Sequence, residues 1–304
     1  MRKRILVVFI IVVSFILTFA DYNILIPSAN NFIRTMEVEN YKIKFLYSKE
    51  IEKYISIDKF ASGKNGNIVL FENMGRNNLY ISNLENLVKW NVITLDKFPI
   101  PSYDSTFHFV TNGNSVVFFY NNHKNNNLEI YQYSLSEKKW KLIKSYLNSS
   151  YFDMYPSKIN DNFLSFVIQN NKNEIELHLL NITDKEDIMI KNNITGEYKL
   201  DVNTKGDVVF IDNIKIEYFN NETKAIKEID LNNNYPEIIT NPPYFVTFIS
   251  DSNIAIYSNN KLIIFNTESW KIKDVIYEIP NAIVGLNGLS DGSILVNIYD
   301  YKGE

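Results

Sequence analysis

The sequence predicts an all-β protein folded as a six-bladed β-propeller of four-stranded antiparallel blades. First, a turn-forming pair runs straight into a short β-branched or aromatic segment six times along the chain. Second, these copies recur about every 40 to 48 residues, which is the length of one four-stranded blade. Third, no convincing amphipathic helix interrupts them, which favours radial repetition over a two-sheet sandwich. The six turns begin at Asn65, Asn112, Asp161, Lys205, Asp251 and Asp291.

Each repeat presents the same order of signals. A first strand precedes the turn, as at Thr106 to Val110, and an apolar second strand follows it. A polar connection then leads to a third strand with two-residue alternation, such as Leu128 to Tyr133. The fourth strand opens with an aromatic residue in several copies, as at Trp140. This order predicts blades that begin at about residues 55, 104, 151, 197 and 243.

The last unit is incomplete, because residues 281–302 supply only its two inner strands. The N-terminal segment 32–47 contains two strands that lack partners of their own. Its residues 39–44 line up with 268–273, at the end of the fifth unit. We therefore expect segment 32–47 to provide the outer two strands of the last blade. This two-plus-two closure removes two sheet edges that would otherwise promote aggregation.

The N-terminus has the three-part pattern of a secretory signal. Met1 to Arg4 is basic, Ile5 to Phe19 is apolar, and Ala20 is a plausible cleavage point. If no cleavage occurs, Ile24 to Ile26 could extend the apolar run into a membrane anchor. Residues 1–20 are accordingly interpreted as a signal peptide or anchor, and residues 21–304 as one propeller domain. Either outcome predicts a periplasmic, secreted or membrane-anchored protein, touching the membrane only through residues 5–19.

Composition excludes several classes of function. The chain has no cysteine, so disulfides, thiolate catalysis and cysteine-ligated metals are ruled out. Net charge is −4, and no Lys/Arg cluster lies beyond the extreme N-terminus, which argues against a nucleic-acid partner. Tyr and Phe number 20 each against 10 Gly, so aromatic strands dominate over flexible linkers.

The run from Asn65 to Phe71, followed by Leu79-Tyr80-Ile81, resembles the TolB-type, WD40-like propeller repeat. In that repeat an Asp-Gly turn precedes a short apolar strand and then a Leu-Tyr strand. The resemblance covers the chain from about residue 55 to its end. It implies the propeller fold, and propellers of this kind include binding platforms, lactonases and peptidase lids.

The candidate binding surface consists of the connections between the fourth strand of one blade and the first strand of the next. Three of them carry tyrosines beside carboxylates and prolines, at 99–104, 151–156 and 235–244. Aromatic side chains on braced loops offer contact area at low entropic cost, which suits a protein, an envelope component or a saccharide. The alternative is that each ring packs between blades. The candidates are Tyr103, Asp104, Tyr151, Asp153, Tyr155, Tyr235, Glu237 and Tyr244.

No catalytic constellation or cofactor motif is recognisable. The histidines His108, His123 and His178 fall in different blades, so they do not predict a shared metal site. The leading hypothesis is therefore an exported, non-enzymatic binding platform without a cofactor. The alternative is a channel-centred hydrolase or lactonase in which carboxylates from several blades, such as Asp104, Asp153 and Glu237, hold one divalent cation. A third possibility is a structural subunit of an envelope assembly.

Overall fold

The computed structural model describes residues 22–25, 33–38, 40–47, 51–52, 55, 59–72, 77–95, 98–100, 107–151, 158–194, 199–212, 215–229, 245–276, 279 and 283–298. Of residues 22–25 only the backbone is described. Within these ranges the chain forms six β-sheets arranged as the blades of a propeller, which confirms the predicted fold class. Among the described residues, no helix has the length and apolar character needed to cross a membrane. Residues 1–20 lie outside the described part of the chain.

The strands follow the chain in blade order. Before the first complete blade come β1 (Tyr22–Leu25), β2 (Ile33–Val38) and β3 (Tyr41–Tyr47). Blade 1 contains β4 (Lys59–Ser62), β5 (Asn67–Glu72), β6 (Asn78–Asn83) and β7 (Lys89–Thr94). Blade 2 contains β8 (Phe107–Thr111), β9 (Ser115–Asn122), β10 (Asn127–Ser134) and β11 (Lys139–Leu147). Blade 3 contains β12 (Ser150–Tyr151), β13 (Lys158–Asn160), β14 (Phe163–Gln169), β15 (Ile175–Asn181) and β16 (Asp187–Asn192).

The second half continues the same pattern. Blade 4 contains β17 (Leu200–Val202), β18 (Val208–Asp212), β19 (Lys215–Asn220) and β20 (Ala225–Ile229). Blade 5 contains β21 (Phe245–Ser250), β22 (Asn253–Ser258), β23 (Lys261–Asn266) and β24 (Lys271–Ile276). Blade 6 combines β25 (Ile283–Gly288) and β26 (Ile294–Ile298) with β3 and β2.

Blade 6 confirms the predicted closure, with one difference in strand order. Strand β26 pairs with β3, in a register that places Ile294 opposite Ile43. This pair is parallel, whereas the pairs of the other five sheets are antiparallel. Because residues 39–44 resemble 268–273, β3 was expected to take the outermost position, as β24 does in blade 5. In blade 6 the outermost strand is instead β2, and β3 lies between β2 and β26. The physical reason is burial: β3 is buried on both faces, whereas the side chains of β2 stay partly exposed.

Strand β1 was not predicted from the sequence. It pairs antiparallel with β7 and adds a fifth strand to the outer edge of blade 1. Ile24 and Leu25 lie in this strand. From the sequence, they were considered as an extension of the apolar N-terminal run into a membrane anchor. The strand covers an edge that would otherwise present unpaired backbone groups.

The inner strands form a ring around a central channel. They contact one another in the order β4, β8, β13, β17, β21 and β25. Asn287 Nδ2 in β25 then donates to Ser62 O in β4 at 3.3 Å, which links the last inner strand to the first. All six inner strands run in the same direction along the channel. We call the end where they begin the loop face, and the end where they turn into the second strands the turn face.

The buried apolar residues of the described ranges form six clusters, one between each pair of neighbouring blades. Between blades 1 and 2, for example, the Phe71 ring meets Phe107 edge-on with centroids 5.0 Å apart. Between blades 6 and 1, Trp90 is fully buried and its Nε1 donates to Leu87 O at 2.8 Å. Each blade thus buries both of its faces against neighbours, as expected of a repeat that cannot fold alone.

Asparagine has a structural use at the turn face, beside the turns that join the first and second strands. Four of the six turns place a glycine at positive φ, such as Gly113 at 88°, a conformation that glycine adopts without strain. Asparagine side chains beside these turns also cross to the next blade. Such amide bonds run from Asn67 to Gly113 O at 3.1 Å, from Asn112 to Asp161 O at 2.9 Å, and from Asn203 to Asp251 O at 3.2 Å.

Candidate functional site in the central channel

One of the eight predicted binding residues lies in the described part of the chain. Tyr151 is 5% exposed and packs between blades 2 and 3. Its ring stacks on Phe119 with centroids 4.8 Å apart and on His108 at 5.3 Å. Tyr151 therefore packs between blades, which was the alternative to a binding role given for each of these aromatic residues. The other seven, Tyr103, Asp104, Asp153, Tyr155, Tyr235, Glu237 and Tyr244, lie outside the described residues.

The inner strands of four neighbouring blades carry polar side chains at matching positions. Asp201 of blade 4 pairs with Val209, Thr247 of blade 5 with Ala255, and Asn287 of blade 6 with Leu295. In blade 3 the matching pair is Lys158 with Ser165. In blades 1 and 2 this position is apolar, with Ala61 and Val110.

A buried ion pair crosses the channel. The Lys64 ammonium of blade 1 donates to Asp201 Oδ2 of blade 4, which lies on the opposite side of the ring. Asp201 is fully buried. Lys64 Nζ also donates to Phe248 O at 3.0 Å, so the ammonium has partners in blades 4 and 5. A buried charge is tolerated only when it is paired and hydrogen-bonded in this way.

The same carboxylate joins blades 4, 5 and 6. Asp201 Oδ2 accepts hydrogen bonds from Thr247 Oγ1 at 2.6 Å and from Phe248 N at 2.8 Å. Thr247 Oγ1 in turn accepts from Gly288 N at 2.8 Å. Gly288 has no room for a side chain, because a Cβ there would lie 1.9 Å from Phe248 O. These contacts hold three blades close together and fill the middle of the channel.

A cavity of about 170 Å³ lies on the loop-face side of this ion pair. It is lined by residues of the inner strands β4, β8, β13 and β25, by Leu295 and Asn297 of β26, and by Lys64. A second space, of about 420 Å³, lies on the turn-face side and is lined by Lys64 and by turn residues of blades 4, 5 and 6. Because Lys64 borders both spaces, the ion pair separates them.

Lys158 is the main cationic group of this cavity. Among the described residues its Nζ makes one long hydrogen bond, which it donates to Leu286 O at 3.5 Å. Burial lowers the pKa of Lys158 to about 8; the Asp201 carboxylate opposes this shift, and the ammonium groups of Lys64 and Lys199 add to it. The Lys158 ammonium is thus largely desolvated, and no carboxylate of the described residues forms an ion pair with it, a state that favours binding of an anion.

Two buried side-chain carbonyl oxygens beside the cavity have no hydrogen-bond partner among the described residues. They are Oδ1 of Asn287 and Oδ1 of Asn297, and both atoms are buried. Asn287 is 3% exposed and uses only its Nδ2, towards Ser62. Asn297 lies opposite Gly285, which carries no side chain to cover it. Neither oxygen has accessible surface, so a molecule in the cavity does not reach it, and each unsatisfied acceptor costs about 1–3 kcal/mol.

The electrostatics of the described channel are unfavourable for a divalent cation. Calcium and magnesium require several oxygen ligands, whereas the Asp201 carboxylate is already held by Lys64, Thr247 and Phe248 N. Lys158 and Lys199 add positive charge nearby. Among the described residues, no group of three or more metal-ligating side chains is present. The hydrolase alternative depends on Asp104, Asp153 and Glu237, which lie outside these residues.

The residues of this cavity were not among the predicted binding residues. Alignment of the six first strands by register would have placed Asp201, Thr247 and Asn287 at one position, and an aspartate between Leu200 and Val202 is unusual in a buried strand. No such signal marks Lys64, because it belongs to a turn and reaches the channel only through its long side chain. His108 and His178 lie in β8 and β15, in the first and third strands where the sequence placed them.

Comparison with known proteins supports the fold and nothing finer. No protein-family model matches the sequence, and no curated protein matches it. Among solved structures, Hsv2 from Kluyveromyces lactis is similar with a TM-score of 0.52 and 12% identity, covering 78% of this chain and 68% of that one. TolB from Acinetobacter baumannii gives 0.44 and 12%, covering 70% and 53%. The WD40 domain of SCAP from fission yeast gives 0.44 and 12%, covering 90% and 60%. At these identities the similarity shows a propeller fold alone.

Proposed function

We propose that this protein is an extracytoplasmic binding platform that docks a protein or envelope component on its loop face. The observation that supports the proposal is the closure of the ring by β3 and β26. Closure makes every inner strand begin at the same end. Segments 99–104, 151–156 and 235–244 precede the inner strands of blades 2, 3 and 5 in the sequence. These connections carry the tyrosines, prolines and carboxylates that suit a docking surface.

Because Tyr151 is buried, it is left out of the proposed docking surface. Its ring belongs to the core between blades 2 and 3, and its loss would create a cavity there. The docking residues are therefore Tyr103, Asp104, Asp153, Tyr155, Tyr235, Glu237 and Tyr244. Export rests on the basic, apolar and small-residue pattern of residues 1–20.

Site-specific photo-crosslinking in cells tests the docking face. A photoreactive residue at position 103 or 155 is expected to capture a discrete partner, and one at the exposed Asn114 on the turn face is not. Adducts of equal yield from positions 103 and 114, or no adduct from either loop position, would contradict the proposal.

Export is tested separately by fractionation. The full chain is expected outside the cytoplasm, and a variant that lacks residues 1–20 is expected to stay inside. Recovery of both proteins in the same compartment would argue against an export signal.

A further inference from the structure

We infer that the channel cavity on the loop-face side of the Lys64–Asp201 pair binds a small organic monoanion, a carboxylate with a short apolar chain. This site is separate from the proposed docking face, and the inference does not depend on that face. Within the described part of the chain, three features of the cavity support it. They are a channel ammonium without an ion pair, a lining without carboxylates, and a largely apolar remainder of limited size.

The position of Lys158 in blade 3 matches that of channel residues in two other blades. Asp201 holds the equivalent position in blade 4 and Thr247 in blade 5, and their side chains meet inside the ring. Lys158 lines the cavity, and its hydrogen bond to a described residue is the long one to Leu286 O at 3.5 Å. An ammonium has three donors, so Lys158 keeps donor capacity for an anionic oxygen. In a largely desolvated channel such a charge-assisted hydrogen bond is stronger than in water.

The charge around the cavity favours an anion with a single negative charge. The described lining contains the ammonium groups of Lys64 and Lys158 and no aspartate or glutamate. The Asp201 carboxylate acts on Lys158 from a distance, but it is already bound by Lys64 and by Thr247 Oγ1. Lys64 is thereby neutralised, and Lys158 is the ammonium of the described lining that lacks a carboxylate partner. A carboxylate matches this charge, whereas a phosphate dianion would bring a second negative charge into a desolvated site.

The rest of the lining suits a short carbon chain. Ala61, Val110 and Leu286 contribute apolar groups, and Phe60 is a partly exposed aromatic member. Val284 is 51% exposed at the loop-face end of β25, so the cavity lies next to an accessible edge of the channel. The volume of about 170 Å³ is close to that of an engineered cavity of about 150 Å³ that accepts one benzene ring. Butyrate has as many non-hydrogen atoms as benzene and therefore fits this space.

Titration calorimetry with the full chain at pH 7 tests the inference through matched probes. Butyrate carries both the charge and the chain, butanol lacks the charge, butylamine reverses it, and inorganic phosphate lacks the chain. We expect butyrate to bind at least tenfold more tightly than each of the other three. No measurable binding of butyrate, or equal affinity for butanol, butylamine or phosphate, would overturn the inference.

Two variants assign the binding to this cavity. Lys158→Met removes a buried charge and is expected to fold, while its affinity for butyrate falls at least tenfold; the exposed Lys124→Met is expected to leave that affinity unchanged. Gly285→Ala adds a methyl group to the lining, and its nearest neighbour, Asn297 Cβ, lies at 3.5 Å. The fold accepts this group while the cavity shrinks, so butyrate should bind severalfold more weakly. Unchanged affinity in Lys158→Met would overturn the inference, whatever Gly285→Ala shows.

The pH dependence gives a readout that a merely structural role of Lys158 would not produce. Burial lowers the pKa of Lys158 to about 8, so the ammonium loses its proton above that pH. Butyrate affinity is then expected to fall about tenfold from pH 7 to pH 9, and Lys158→Met to remove this dependence. The other charged and titratable groups around Lys158 are Asp201, Lys64, Lys199 and His108. Affinity that stays constant over this pH range would remove Lys158 from the site and overturn the inference.

Discussion

Replacing Lys158 by methionine should make the protein more stable at neutral pH. The ordinary pKa of this lysine is 10.5, and burial in the channel lowers it to about 8. Each unit of pKa corresponds to about 1.4 kcal/mol, so the charged ammonium costs the folded protein up to about 3 kcal/mol at pH 7. Because Lys158 keeps some contact with channel water, we expect the gain to be about 1–3 kcal/mol.

The stability advantage of Lys158→Met over the wild type must decrease as the pH rises. A lysine whose folded-state pKa is lowered releases its proton earlier in the folded protein than in the unfolded chain. Stability of the wild type therefore increases between about pH 8 and pH 10.5, while that of Lys158→Met lacks this contribution. At pH 10 the variant should exceed the wild type by about 1 kcal/mol or less.

Urea unfolding of both proteins at pH 7 and pH 10 measures this difference directly. Lys124→Met is the matched control, since its side chain is exposed and its substitution should change stability by less than about 0.5 kcal/mol. A variant that is less stable than the wild type at pH 7, or a difference that does not change with pH, would refute the claim that the Lys158 ammonium is desolvated.

Three further predictions concern contacts between blades. Gly288→Ala should destabilise the protein by about 3 kcal/mol or more, because its Cβ would overlap Phe248 O, whereas Gly285→Ala should cost less than about 1 kcal/mol in the same urea assay. Lys64→Met should cost about 3–5 kcal/mol by leaving the Asp201 carboxylate buried without its counter-ion, and Lys64→Met/Asp201→Asn should recover part of that loss in thermal unfolding. Burial would raise the pKa of Asp187, but hydrogen bonds from His178 and Tyr146 and the charges of His178 and Lys144 outweigh it and lower the pKa. Stability from this carboxylate is therefore complete above its ordinary value of 3.8 and is lost as the pH falls below it, so Asp187→Asn should flatten the acid limb of a stability–pH profile.

The architecture could be predicted because it depends on local and repeated signals. A turn at Asn65-Gly66 or Asn112-Gly113 followed by a β-branched run specifies a hairpin whatever surrounds it, and its recurrence specifies a blade. Ring closure could also be predicted, since 32–47 and 281–302 each lack the strands that the other supplies. The order of β2 and β3 could not, because it depends on which strand is buried on both faces.

The channel cavity and its charges could not be predicted, for a different reason. Lys64 and Asp201 are 137 residues apart and meet only because a six-membered ring places blade 1 opposite blade 4. Likewise Lys158, Asn287 and Asn297 share one wall although nothing in their local sequence relates them. The sequence by itself determined the repeat, its length and its closure, since hairpin propensity and period are local properties. Only the tertiary structure decided where the charged groups of the channel converge, because that depends on the angle between blades and on the direction of side chains across the channel.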